Sequence, residues 1–239
     1  MRTVNKNKAV STRRKSKKDI TEILRLLDEH YPRTESFLEY GEPWQLLIAT
    51  ILSAQCTDNR VNEVTKVLFA RFASPRELAD AEASEVERII KPVGLYRAKA
   101  ASIMGCARRL CERFGGEVPK TVEDLTSLPG VGRKTANVVR THVFREPSVV
   151  VDTHVKRVSK RLGLTDTDDP VKAEFELMKV LPRDHWSRIN IEFMSLGREI
   201  CKARNPKCGE CFLAEHCGLG GDGGSGSPPA KETGVVGHS

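Results

Sequence analysis

Apolar side chains recur every three or four positions over residues 19–217, which is the spacing of amphipathic helices. Short stretches that contain proline, glycine or a capping residue interrupt the pattern, for example at 41–43, 91–94 and 115–116. Residues 148–151 alone resemble a strand, and four residues are too few to build a sheet. The sequence therefore predicts an all-α fold.

A glycine-containing turn joins two of the predicted helices at residues 128–134, which read Leu-Pro-Gly-Val-Gly-Arg-Lys. Thr121 has the capping-box pattern that begins the first helix, and the second begins near Gly132, giving a predicted hairpin over 121–140. Gly130 and Gly132 permit backbone angles that other residues avoid. The free N–H groups and dipole of the second helix favour an anion, such as a DNA phosphate. A ligand-free turn between helices is the alternative interpretation.

An amine and a carboxylate accompany this turn. Lys134 ends the motif, and Asp152 follows eighteen residues later in the sequence Val-Asp-Thr-His. A lysine amine can act as a nucleophile that forms an imine, and a carboxylate can stabilise positive charge or accept a proton. The alternatives are a phosphate contact for Lys134 and a helix N-cap before Thr153 for Asp152.

The net charge of +7 originates in the first eighteen residues, which carry eight basic side chains and no acidic one. We expect residues 1–18 to form a basic, disordered arm that adds sequence-independent affinity for DNA. Residues 130–161 hold a second excess, with eight basic and two acidic side chains beside the glycine turn. Residues 218–239 are rich in glycine and then proline, which predicts a disordered tail.

No apolar stretch approaches the length of a membrane span, and no signal-peptide-like apolar segment follows the N-terminus. We therefore expect no membrane partner. The corresponding location is intracellular, in the cytoplasm and in association with the nucleoid.

Four of the seven cysteines fall within seventeen residues. They are Cys201, Cys208, Cys211 and Cys217. An intracellular location argues against disulfides, and one loop with unequal intervals favours an iron–sulfur cluster over the paired Cys-x2-Cys spacing of zinc sites. Zinc and the absence of any metal remain open. Three cations lie between Cys201 and Cys208, namely Lys202, Arg204 and Lys207. They are candidates for contact with the DNA backbone, and a solvated basic loop is the alternative.

These features together resemble endonuclease III, within the helix-hairpin-helix DNA glycosylases. The motifs that carry the resemblance are segments 128–139 and 151–154, the four-cysteine loop, and segments 53–58 and 94–96. The resemblance implies an enzyme that flips a damaged base out of double-stranded DNA and removes oxidised or ring-damaged pyrimidines. It also implies strand nicking by β-elimination through a lysine Schiff base, and a [4Fe–4S] cluster.

The resemblance further implies two helical lobes, with the active site in the cleft between them. A six-helix barrel that carries the hairpin corresponds to residues 36–146. Residues 15–35 and 147–217 correspond to the lobe that holds the cluster through the four cysteines. We expect the enzyme to act as a monomer.

The resemblance also assigns roles to individual residues. Lys134 is the imine-forming nucleophile, and Asp152 is the assisting carboxylate. Gln55 and Leu95 match positions that fill the gap left by the flipped nucleotide, although both could instead be packing residues. The hairpin contacts DNA through Gly130, Val131, Gly132 and Arg133.

Three rival functions are weighed against this one. The adenine-specific branch lacks the lysine and uses a glutamate where this chain has residues 49–52, Ala-Thr-Ile-Leu. The oxidised-guanine branch shares the lysine and aspartate but usually lacks the cysteine loop. A non-catalytic DNA-binding or redox-sensing iron–sulfur protein needs neither Lys134 nor Asp152. Because the chain holds both residues and the cysteine loop, the bifunctional pyrimidine branch is favoured.

Overall fold

The computed structural model describes residues 15–32 and 35–218. These residues contain helices and connecting segments but no strand, which confirms the all-α prediction. The α-helices in chain order are α1 (Lys17–His30), α2 (Pro43–Leu52), α3 (Asp58–Arg71), α4 (Pro75–Ala79), α5 (Ala83–Ile90), α6 (Tyr96–Phe114), α7 (Val122–Thr126), α8 (Arg133–His142), α9 (Thr153–Leu162), α10 (Pro170–Val180) and α11 (Ile189–Glu199). The 3-10 helices are Lys91–Val93, Arg183–His185, Cys208–Glu210 and Ala214–His216.

The chain divides into two compact units. The described residues of the first unit are 15–32, 153–181 and 192–218, and those of the second are 35–152 and 182–191. The second unit thus contains residues 147–152 and 182–191, which the predicted lobe boundaries assigned to the other lobe. Helix α11 begins in the second unit and ends in the first, so its amphipathic pattern alone could not reveal the boundary.

Helix α2 supplies much of the core of the second unit. Eight of its ten residues are buried, and it contacts α3, α6 and α8. A helix that is apolar on most sides is stable in water only when other helices surround it. At ten residues α2 is about 15 Å long. Over the ranges 15–32 and 35–218, no helix combines the length and the apolar character needed to cross a membrane.

The first unit begins with α1, whose start lies inside the predicted arm. Ser16 caps this helix by accepting a hydrogen bond from the Asp19 backbone N–H at 3.2 Å, and the Asp19 side chain bonds back to Ser16. One face of α1 buries Ile20, Ile23, Leu24 and Leu27. Lys17 and Lys18 are therefore helical, because a capping box fixes the helix start ahead of the apolar face. Residues 1–14 of the arm and all but residue 218 of the predicted tail lie outside the described residues.

Candidate functional site

The hairpin forms where the sequence predicts it. The Thr121 hydroxyl caps α7 by accepting a hydrogen bond from the Asp124 backbone N–H at 3.0 Å. Gly130 then takes a left-handed backbone conformation with φ of +76°, and α8 begins after Gly132. Gly132 itself has φ of −96°, in the extended region, so it does not use the conformational freedom of glycine. Extended backbone is the ordinary conformation of a helix N-cap, which Gly132 is.

The two glycines of the turn give a matched pair of stability predictions. A Cβ on Gly130 would lie 2.8 Å from Ser102 Cβ and 3.1 Å from Ile51 Cγ2, on a backbone that L-residues avoid. We expect Gly130→Ala to lower the free energy of unfolding by about 2–3 kcal/mol. Gly132→Ala meets no atom within 4 Å, so it should cost about 1 kcal/mol or less. Urea titrations of both variants measure the difference, and equal losses would contradict this explanation of Gly130.

Lys134 lies in the first turn of α8, with its side chain exposed. Because the N-cap is glycine, the N-cap residue has no side chain of its own to bond the N–H groups at this helix start. The opposite face of α8 packs into the core through Ala136 and Val139. The hairpin therefore holds an amine beside an approachable, positively polarised helix N-terminus on a rigid support. Arg133, the preceding residue, is half-buried.

Asp152 lies at the end of a buried connecting segment in the same unit as the hairpin. The Asn137 amide of α8 donates to the Val149 carbonyl at 3.5 Å, and the Asn190 amide donates to the Val150 carbonyl at 3.2 Å. Val149 and Val150 are almost fully buried, whereas Asp152 is half-buried directly before α9. Packing and two side-chain amides thus fix the backbone that carries the carboxylate.

Gln55 and Leu95 share an unusual local structure. Both are non-glycine residues with a left-handed backbone, at φ of 54° and 47°. Both side chains are exposed, and 64% of the Leu95 surface is accessible. An exposed side chain on a left-handed backbone fills no core, so packing does not explain either residue. For Leu95 the exposed surface is also apolar, which is the less common case. The two residues lie in the same unit as Lys134 and Asp152.

The four-cysteine loop lies in the first unit. All four cysteines line one cavity, together with Arg161, Ile200, Pro206 and Ala214. Cys208 is exposed and the other three are half-buried. Burial raises the pKa of the Cys211 thiol to about 11; a hydrogen bond with the Leu213 backbone opposes this shift, and the nearness of the other three thiols adds to it. A metal centre is the arrangement in which such thiols become thiolates together.

The spacing of the sulfur atoms distinguishes a cluster from zinc. In the part of the chain that the structure describes, no three of the four sulfurs lie within 4.8 Å of one another. Four thiolates on one tetrahedral zinc ion, with Zn–S bonds of about 2.3 Å, would lie about 3.8 Å apart. A cubane cluster separates its ligands further, because each cysteine binds a different iron. The donor set and its spacing therefore fit an iron–sulfur cluster.

Two arginines of α9 hold the first part of this loop in place. The Arg161 guanidinium donates to the Lys202 carbonyl at 2.8 Å, to the Ala203 carbonyl at 3.2 Å and to Cys201 Sγ at 3.3 Å. Arg157 Nε donates to the Cys201 carbonyl at 3.1 Å. From the sequence, both arginines were interpreted as part of the basic excess over residues 130–161 that faces DNA. Their spacing of four residues on one helix was the available signal that they face the same neighbour.

We expect Arg161→Gln to weaken the cysteine loop and its cluster. The substitution removes the guanidinium donors to two loop carbonyls and to the Cys201 sulfur, which should cost about 2 kcal/mol of stability. Lys160→Gln is the matched control, because Lys160 is the neighbouring cation and forms only a surface pair with Asp168. Iron content and thermal unfolding of the two purified variants measure the effect. Equal iron content and equal thermal midpoints would contradict a supporting role for Arg161.

The other basic residues of the excess over residues 130–161 also differ in their partners and in the unit to which they belong. Arg140 pairs with Glu146 at 3.2 Å, and residues 130–152 and 153–161 belong to different units. Of the loop cations, Lys202 and Arg204 are exposed, whereas Lys207 pairs with Glu210 at 3.1 Å. Part of the basic charge seen in sequence is therefore paired with acidic side chains of the protein itself.

Comparison with known proteins identifies the family of this chain. The HhH-GPD superfamily of base excision DNA repair proteins matches residues 48–183, and the iron–sulfur binding domain of endonuclease III matches residues 201–217. Endonuclease III of Synechocystis sp. is 50% identical over 202 residues, which are 84% of this chain and 92% of that protein. The chain belongs to the endonuclease III family. The Escherichia coli member is 39% identical over 202 residues, which are 82% of this chain and 93% of the relative.

Solved structures agree with this assignment. A trapped endonuclease III–DNA covalent intermediate with an estranged adenine has a TM-score of 0.82 and 42% identity, over 86% of this chain and 97% of that one. A non-covalent endonuclease III–DNA complex matches equally well. A thermostable thymine-DNA glycosylase has a TM-score of 0.76 at 23% identity and shows the shared fold alone.

Family membership settles the class of activity and the cofactor. The chain is a DNA glycosylase and AP lyase, as predicted. It carries a [4Fe–4S] cluster, which confirms the prediction and removes the zinc alternative. A purely DNA-binding or redox-sensing role is not favoured.

Proposed function

We propose that this enzyme removes oxidised or ring-damaged pyrimidines from duplex DNA and nicks the strand with Lys134 and Asp152 as its catalytic residues. It acts as a monomer on nucleoid DNA. One observation carries the proposal: the hairpin places the Lys134 amine in the exposed first turn of α8, in the unit that fixes the Asp152 carboxylate.

The proposed chemistry begins with attack of the Lys134 amine on C1′ of the damaged nucleotide. The glycosidic bond breaks, and the base leaves with the bonding electrons and gains a proton. Asp152 stabilises the positive charge on the sugar and accepts the proton that the amine releases. The sugar ring then opens: the C1′–O4′ bond breaks, O4′ takes up a proton, and the lysine nitrogen forms an imine with C1′. This imine acidifies the C2′ proton, and loss of that proton expels the 3′ phosphate by β-elimination. Water then releases the enzyme by hydrolysing the imine.

The remaining candidate residues bind DNA in this proposal. The backbone of Gly130, Val131, Gly132 and Arg133 receives a phosphate at the start of α8. Gln55 and Leu95 enter the gap left by the flipped nucleotide, which their exposed left-handed positions support. Lys202 and Arg204 are exposed for contact with the DNA backbone, and Lys207 can join them by leaving its surface pair with Glu210.

The four cysteines are the proposed ligands of the cluster, one for each iron. Cys201, Cys208, Cys211 and Cys217 would hold the cluster as thiolates, and these bonds would stabilise this short loop. Phe212, within the loop, stacks on His30 of α1 with ring centroids 3.7 Å apart. The loop cations are thereby held on a fixed support.

A pyrimidine lesion is favoured by one feature of a solved relative. That complex contains an estranged adenine, and the partner of adenine in duplex DNA is the pyrimidine thymine. The catalytic lysine distinguishes this chain from the adenine-specific branch, and the cysteine loop distinguishes it from the oxidised-guanine branch. Together these features support a damaged pyrimidine as the base that is removed.

The lesion class is tested by single-turnover base release from matched duplexes. Each duplex holds one modified position: thymine glycol, 5-hydroxycytosine, 8-oxoguanine or undamaged thymine. We expect release of both oxidised pyrimidines at least about a hundredfold faster than of 8-oxoguanine or thymine. Faster release of 8-oxoguanine would contradict the proposed substrate class. Sedimentation of the enzyme with and without the duplex tests whether it acts as a monomer.

A further inference from the structure

Lys99 of α6 is a buried lysine in the core of the second unit. Only 6% of its surface is accessible, and its ammonium donates two hydrogen bonds of 2.9 Å, to the carbonyls of Leu52 and Val93. Burial lowers the pKa of its amine, with the Cys56 thiol acting in the opposite direction. A buried ammonium is retained in a core only where hydrogen bonds compensate for lost hydration.

The two carbonyls terminate two different helices. Leu52 is the last residue of α2, and Val93 is the last residue of the 3-10 helix Lys91–Val93. Carbonyl groups at helix ends have no partner within the helix, and the helix dipole makes them favourable sites for a cation. One ammonium thus satisfies both helix ends and ties them to α6.

The segments that follow these carbonyls carry the two exposed, left-handed residues. Gln55 lies three positions after Leu52, and Leu95 lies two positions after Val93. The Lys99 backbone N–H also donates to the Leu95 carbonyl at 3.0 Å, in the first turn of α6. Lys99 is therefore hydrogen-bonded to Leu95 itself and to Leu52, which lies three residues before Gln55.

We propose that Lys99 is a positioning residue that fixes Gln55 and Leu95 relative to each other, so that both can enter the gap left by the flipped nucleotide. This inference rests on the proposed DNA-binding role of Gln55 and Leu95. Two short loops joined through one ammonium cannot spread apart when a base pair is forced open between them. Lys99 acts through these residues and reaches neither the DNA nor the sugar.

The test compares a substrate that has a base stack with one that has none. Lys99→Met keeps the chain length and removes the charge and the donors. The probes are a duplex with one abasic site and the same abasic strand alone, because a single strand presents no stacked gap to fill. We expect Lys99→Met to slow single-turnover cleavage of the duplex by about tenfold and cleavage of the single strand by at most about twofold. Lys99→Arg, which keeps charge and donors, should restore most of the duplex rate.

Lys66→Met is the matched control, since Lys66 lies in the same unit and forms only an exposed pair with Glu39. It should leave both rates within about twofold of wild type. If Lys99→Met does not fold, Lys99→Gln, with its uncharged donor, carries the same comparison. Equal losses on duplex and single strand, or no loss on the duplex, would overturn the positioning role.

The double variant Gln55→Ala/Leu95→Ala separates this inference from the function on which it rests. A selective loss on the duplex in the double variant, without one in Lys99→Met, overturns the role of Lys99 alone. No selective loss in the double variant overturns both the role of Gln55 and Leu95 and the role of Lys99. Selective losses of similar size in both variants support the positioning role.

Discussion

Lys134→Arg should form no borohydride-stable adduct with abasic duplex DNA, under conditions where the wild-type enzyme is trapped in high yield. Borohydride reduces an imine to a stable amine, so the trapped species reports the covalent step itself. A guanidinium stays protonated and does not attack C1′, but it binds phosphate at least as well as an ammonium does. We expect strand nicking to fall by about four orders of magnitude or more, while the affinity for DNA changes by at most about threefold.

This substitution discriminates between the two roles considered for Lys134. If the side chain only contacted a phosphate, arginine would preserve nicking, and Lys134→Ala would reduce affinity and nicking together. Arg133→Gln is the neighbouring control, since it alters the charge of the hairpin and leaves the Lys134 amine in place. It should lower affinity and retain the adduct. A full adduct yield with Lys134→Arg would place the nucleophile elsewhere.

The hairpin was predictable from sequence because its signals are local. A capping threonine, a Pro-Gly stop and an N-cap glycine each act within one turn of chain, and α7 and α8 begin and end beside them. Residues 148–151 were also correctly excluded as a sheet element, and they form a buried connection between helices instead. Gly132 does not need the backbone freedom of glycine, because its φ lies in the extended region. Its missing side chain instead leaves space at the start of α8.

Features that depend on distant partners were not predictable. Lys99 reads as an ordinary cation of an amphipathic helix, and its burial follows from two helix ends that other parts of the chain provide. Arg157 and Arg161 read as DNA-facing charge, whereas they hold a loop forty residues further along. A cation in the sequence does not reveal whether its partner is protein, DNA or water.

Asp152→Asn should lower single-turnover base release by about a thousandfold, while affinity for lesion-containing duplex stays the same or rises. Removing the carboxylate takes away the charge that stabilises the sugar cation and the group that accepts a proton. Removing a negative charge near the DNA also reduces repulsion from phosphate, so binding should not weaken. Asparagine has nearly the same size, and the backbone that precedes it is fixed by the burial of Val149 and Val150 and by two asparagine amides.

The same substitution separates catalysis from helix capping. Asparagine caps a helix about as well as aspartate does, so a purely capping Asp152 would tolerate Asp152→Asn with nearly wild-type rates and stability. Asp152→Ala removes both functions and should additionally destabilise the enzyme by about 1 kcal/mol. Asp168→Asn, at the surface pair with Lys160, controls for the loss of one carboxylate and should leave base release unchanged. Base release at a wild-type rate in Asp152→Asn would make the carboxylate structural, whereas a slow, stable variant that still binds DNA places it in the chemistry.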